Sequence, residues 1–119
     1  MRLNINTPRR RYLLGWLLAL YWIALFMGTH IPVPPSEVAL PEGSDKLIHF
    51  VAYFGLACLL GLFRGTQKWA SSFAIIAVFA MIDELLQIPV GRSCDVADGL
   101  ADWLGAAIGI VLATRLQAR

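Results

Sequence analysis

Met81-Ile82-Asp83-Glu84-Leu85-Leu86-Gln87-Ile88-Pro89-Val90-Gly91-Arg92-Ser93-Cys94-Asp95-Val96-Ala97-Asp98-Gly99-Leu100-Ala101-Asp102-Trp103-Leu104-Gly105 joins two strongly apolar runs. Five acids, an amide and an arginine fall in this stretch, in a chain that otherwise avoids charge. Ionisable groups at or within membrane segments are costly unless they pair, face water or do chemistry. The stretch therefore marks both a hairpin between two spans and the first place to look for function.

Working outward, 58% of the 119 residues are hydrophobic and only 15% charged, with a mean hydropathy of +0.65. That composition excludes an ordinary soluble domain of this length. A membrane-spanning helix needs roughly 20 mainly apolar residues. Four stretches qualify, at about 12–29, 46–63, 69–88 and 96–116. The predicted fold is all-α: a polytopic bundle of four transmembrane helices with short loops, forming a single domain over 1–119. The first run follows a basic leader, as a signal peptide would. However, its apolar stretch is longer than the usual signal core, and the bulky residues after it offer no small-x-small cleavage site. It reads as a retained anchor.

With four spans, Arg2, Arg9, Arg10, Arg11, Arg64, Lys68, Arg115 and Arg119 all fall on one side, and only Lys46 and Arg92 lie towards the other. The positive-inside rule makes the eight-residue side cytoplasmic. The expected location is the bacterial inner membrane, with both termini in the cytoplasm. All eight acids lie on the outer half, so the modestly basic balance is the sum of two opposed faces. It gives no reason to expect a nucleic-acid partner.

Between the first two spans, Pro32, Pro34, Pro35 and Pro41 predict an extended, irregular loop, either a cover over a site or a plain connector. In the second span Asp45, His49 and Tyr53 recur every four residues and share a helical face, with Lys46 beside them. The bland alternative makes Ser44 or Asp45 an N-cap, Lys46 a snorkelling side chain and His49 a buried hydrogen-bonder. The chemical one makes His49 a proton shuttle or general base.

In the third span Glu84 and Gln87 face the same way, as do Asp83 and Gln87. Acids at a helix C-terminus oppose the helix dipole, so something must compensate them. In the fourth, Asp95 is a good N-cap with Asp98 in a capping-box-like position. Capping does not account for Asp102, two turns inside. Asp95, Asp98 and Asp102 form one acidic stripe, and Arg92 is the expected neutralising cation. A parallel stripe of small residues, Ala97, Ala101, Gly105, Gly109 and Ala113, predicts close approach of another helix. The partner is the second or third span, or a second copy of the chain through Gly105 and Gly109. Cys58 lies roughly 18 Å below the outer end of its span at 1.5 Å per residue. A disulfide needs Cα atoms within about 7 Å, so Cys58 and Cys94 are not expected to bond.

The motifs Asp45-Lys46 with His49-Phe50 and Tyr53, Glu84 with Gln87, Gly91-Arg92 with Asp95 and Asp98, and Gly105 with Gly109 resemble those of the VanZ-like membrane proteins. That family is named for an accessory protein of glycopeptide-resistance clusters associated with low-level teicoplanin resistance. The chain departs from the family pattern at Asp102, where an asparagine is expected. The resemblance implies a small helical protein of the bacterial envelope but brings no established reaction.

The outer ends of the last three spans thus supply a candidate ligand-binding set: Asp45, Lys46, His49, Tyr53, Glu84, Gln87, Arg92, Asp95, Asp98 and Asp102. Three function classes follow. The first is a binder of an outer-leaflet membrane lipid, a cell-wall precursor or a lipophilic glycopeptide. The second is a small membrane enzyme on a lipid-linked substrate, with His49 or Glu84 as the candidate catalytic group. The third is a structural or assembly subunit whose polar network locks the bundle. No cofactor is expected, although the oxygen ligands present are of the kind that hold a divalent metal.

Overall fold

A computed structural model describes residues 7–31, 41–92 and 94–119. Four helices make up almost all of it: α1 (Pro8–His30), α2 (Ser44–Arg64), α3 (Trp69–Gln87) and α4 (Val96–Ala118). Each is long and apolar enough to cross a membrane. The bundle is 47 Å long and about 24 Å wide, matching the ~40–45 Å of a bilayer with its head-group regions. The expected cover formed by Pro32, Pro34 and Pro35 lies outside the described residues.

The helices run past the apolar stretches at the charged ends. Pro8 opens α1 at a position where its missing N–H costs nothing, and Arg9, Arg10 and Arg11 follow within the helix. Gly43, with φ of 83°, precedes α2. It stands in the capping place expected for Ser44 or Asp45, both of which are instead helical. A short 3₁₀ turn (Thr66–Lys68) links α2 to α3, so these two form the expected hairpin. At the other end Ile88–Val90 makes a second 3₁₀ turn, closed by Gly91 at φ of 79°.

The most extensive interface joins α2 to α4. Gly105 lies against the backbone carbonyl of Phe50, and Gly109 against that of Phe54 and the Cβ of Ala57. A side chain at either position would collide with the backbone of α2. The small-residue stripe is thus occupied within the chain along its buried part, Gly105, Gly109 and Ala113. Ala97 and Ala101, nearer the start of α4, are only half-buried. A second copy could reach Gly105 and Gly109 only if α2 left that face.

The apolar core centres on Leu56, Ala57, Leu60, Ile76, Ala80, Ala106 and Ile110. α1 is peripheral and buries only Leu18 and Leu25. It is held by the Tyr21 hydroxyl, which donates to the Ala52 carbonyl at 2.8 Å, and by the edge-on contact of Trp22 with Phe79. Leu, Ile and Val side chains cover the outside of all four helices, as a lipid-facing surface requires. At the end carrying Arg64 and Arg115, Gln117 donates to the Leu62 carbonyl at 2.8 Å, satisfying an acceptor near the end of α2.

Candidate functional site

At the opposite end the polar residues of α2, α3 and α4 do converge, in three layers of increasing depth. The uppermost is built on Lys46. Its ammonium lies 3.1 Å from Asp45, 3.2 Å from Asp95 and 3.3 Å from Asp98. Lys46 keeps 41% of its side chain exposed and Asp45 56%, so this layer is open at the end of the bundle. Asp95 caps α4 by accepting the Ala97 N–H at 2.9 Å. That bond and Lys46 hold its carboxyl below the usual carboxylate range.

His49, one helical turn below Lys46, forms the middle layer. Its Nδ1 donates to Asp102 Oδ1 at 2.9 Å. The same nitrogen lies 3.8 Å from Glu84 Oε1, and Nε2 lies 3.6 Å from Asp98 Oδ2. Asp102 is fully buried, and His49, Glu84 and Asp98 are each less than a tenth exposed. A true capping box would turn the Asp98 side chain back to the Asp95 N–H. Here that N–H goes to Glu84 Oε2 at 3.3 Å, which leaves Asp98 to Lys46 and His49. Two buried oxygens in this layer, Glu84 Oε1 and Asp102 Oδ2, have no hydrogen-bond partner among the described residues.

The deepest layer is Asp83, also fully buried. It accepts from Thr29 Oγ1 at 2.8 Å, the Tyr53 hydroxyl at 3.0 Å and Gln87 Nε2 at 3.4 Å. His30, stacked on Phe26, brings Nδ1 to 3.6 Å from the same carboxylate. Tyr53 lies nine residues into α2, roughly 14 Å along the helix.

This arrangement answers what compensates the acids at the end of α3: Asp83 by hydroxyls and an amide, Glu84 by an N–H of the α4 entry and by His49. It also revises the part expected of Arg92. The guanidinium does not reach the acidic stripe. It donates instead to the carbonyls of Thr29 at 3.1 Å and Gly28 at 3.3 Å, at the end of α1, where the helix dipole favours a cation. Lys46 and His49 take over the neutralising role. Thr29, His30 and Asp83 were absent from the candidate ligand set. Asp83 had a signal, since its spacing from Gln87 was visible. Thr29 and His30 had none, because only packing of α1 against α3 brings them there. The two cysteines are both free, Cys94 exposed and Cys58 half-buried.

Four membrane-length helices carrying these polar groups at one end are what the motifs suggested, and the VanZ/LLP1 family profile matches residues 13–117. The chain belongs to the VanZ/LLP1 family. Of this member's motif residues, Asp45-Lys46, His49 and Tyr53 occupy the three layers in order. Glu84, Gln87, Asp98 and Asp102 close them from the other two helices, and Asp102 is the residue that binds the imidazole. No curated protein and no solved structure matches the chain.

Proposed function

We propose that this VanZ/LLP1 member is a membrane-embedded binding protein that receives the polar head of a lipid-anchored envelope molecule above His49. The carrying observation is the imbalance of charge there. Five carboxylates (Asp45, Glu84, Asp95, Asp98, Asp102) face Lys46 and a single imidazole, and two buried carboxylate oxygens lack partners. A buried acceptor without a donor costs about 1–3 kcal/mol, which a ligand bringing donors would recover. The excess of acid favours an ammonium, or a cluster of amide and hydroxyl donors, and disfavours a bare phosphate. Zwitterionic lipids, amino-bearing cell-wall precursors and lipophilic glycopeptides all offer such groups. The positive-inside rule, applied to the basic residues, supports an extracytoplasmic position for this end and cytoplasmic termini. Binding there would alter access of a drug such as teicoplanin to its target.

Native mass spectrometry of the protein released from membranes tests the reading. The wild type should retain a defined amine-bearing molecule that Glu84→Gln and Asp102→Asn lose at matched folding. Retention of the same unselective lipids by all three would end it. Expression in a teicoplanin-sensitive host, with susceptibility compared between wild type and Glu84→Gln, tests the link to drug access.

One observation favours a second reading. Asp102 orients His49 through Nδ1, as a carboxylate orients a general base, and leaves Nε2 on the side of Asp98. In a lipid-acting enzyme, His49 would move the proton and Glu84 would assist. Such an enzyme would keep its ligand but lose turnover in His49→Gln. Asp83, its carboxylate engaged by Thr29, Tyr53 and Gln87, fits a structural role in either case.

A further inference from the structure

The middle layer has the composition of a metal site as well as of a hydrogen-bond network. One nitrogen of His49 and one carboxylate oxygen each from Glu84 and Asp102 lie within 4.8 Å of one another. A zinc ion bound at about 2.1 Å from each donor in tetrahedral geometry would set them about 3.4 Å apart. The separations from His49 Nδ1, 2.9 Å to Asp102 and 3.8 Å to Glu84, straddle that value. Proximity of acids alone would mean little. The independent sign is that Glu84 Oε1 and Asp102 Oδ2 are buried and unpartnered, on residues 5% and 0% exposed. Two such oxygens near an imidazole are short of positive charge, and a proton on Nδ1 goes to Asp102 Oδ1, which is neither of them.

We propose that His49, Glu84 and Asp102 form a three-ligand site for a divalent transition-metal ion of the zinc type. On binding, the ion replaces the Nδ1 proton, which leaves to solvent, and its two charges match the two carboxylates. The mixed nitrogen and oxygen donors suit zinc better than magnesium, which prefers oxygen ligands and retains its waters. Three protein ligands leave a fourth position open, the pattern of zinc sites that admit water or a ligand. The other acidic group, Asp45, Asp95 and Asp98, is different. There the Lys46 ammonium is already within 3.3 Å of all three carboxylates. A metal at that place would have to displace a resident cation, so the site is assigned to the deeper trio. The assignment does not depend on the head-group reading.

The test uses the full chain in detergent, stripped with chelator and titrated with zinc chloride alone, followed by calorimetry and native mass spectrometry. One zinc per chain is expected. Glu84→Gln and Asp102→Asn should each weaken binding by more than about tenfold, the scale on which even supporting partners of a metal site act, while Glu42→Gln on the exposed surface should not. Failure of the wild type to take up one equivalent, or equal uptake by all variants, would overturn the proposal. So would loss of uptake in Asp95→Asn with Glu84→Gln unaffected, since that places the ion in the surface trio. Should the buried variants fail to fold, cobalt(II) added to the stripped wild type decides. Intense visible bands of a low-coordinate ion support the site, and the pale spectrum of the hydrated ion rejects it. Because no lipid is supplied, a failed search for a retained head group leaves this result intact.

Discussion

The Lys46 layer and the His49 layer use the same chemistry, a nitrogen group among three carboxylates, one helical turn apart, and differ in what surrounds them. Around Lys46 the groups are two-fifths or more exposed except Asp98, and water can replace any partner. Around His49 every side chain is at most 11% exposed. Exposed ion pairs contribute little because solvent screens them, whereas a buried charge that loses its partner has nothing to replace it. The lower layer should therefore govern stability and the upper one access.

Removing the lower imidazole should have the largest effect. His49→Ala leaves Glu84, Asp98 and Asp102 facing each other and should cost about 3–5 kcal/mol, read from unfolding of the purified protein in mixed detergent micelles. If it cost as little as the corresponding change at Lys46, the contrast between the layers would be wrong.

Next comes the seam that holds α2 and α4 together beneath both layers. Gly105→Ala places a methyl group against the Phe50 carbonyl and should cost about 1–3 kcal/mol, as overpacking does. The same unfolding titration measures it, and tolerance without loss would show that the two helices are not in close contact there.

A smaller loss, about 1 kcal/mol, is expected for Tyr53→Phe, because Thr29 and Gln87 still donate to Asp83. Adding Thr29→Val should cost more than the sum of the single changes, since both serve one buried carboxylate. Strict additivity would show that the two hydroxyls act independently.

Lys46→Ala should scarcely move the unfolding midpoint, and by removing a competing cation from Asp45, Asp95 and Asp98 it should preserve or strengthen retention of an amine-bearing ligand in native mass spectrometry. Least of all, Asp95 should give a shallow acid dependence. Its folded carboxyl is held below the usual range, so its stabilisation is complete above the ordinary aspartate pKa of about 3.9. That contribution disappears as the pH falls through the depressed folded value. Asp95→Asn keeps the cap, asparagine being as good there, and should remove this part of the acid dependence in a pH series of melting curves.

Much of the architecture was legible because length and apolarity alone specify a spanning helix. The spans at 46–63 and 69–88 lie within two residues of α2 and α3, although the 3₁₀ turn Ile88–Val90 takes over Ile88. The first span was drawn four residues short, because hydropathy stops at Tyr12 while the backbone stays helical through Arg9, Arg10 and Arg11 to Pro8. His30, assigned to the loop, ends α1 for the same reason: a polar residue leaves the apolar count without leaving the helix.

Helical period made the shared face of Asp45, His49 and Tyr53 visible, as it did the pairing of Asp83 with Gln87 and the acidic stripe of α4, because these are relations within one helix. Which charge meets which across helices was not visible. On paper Arg92, the cation nearest in sequence, is the expected partner for Asp95. The crossing of α2 against α4 at Gly105 and Gly109 brings Lys46 to Asp95 and Asp98, and His49 to Asp102. The packing of α1 against α3 supplies Thr29 to Asp83 and turns Arg92 to the end of α1. Sequence determined that four helices span and which faces are polar, since both follow from local period and composition. Only the tertiary structure decided the three layers, because pairing at 3 Å depends on helix rotation and depth set by close packing elsewhere in the bundle.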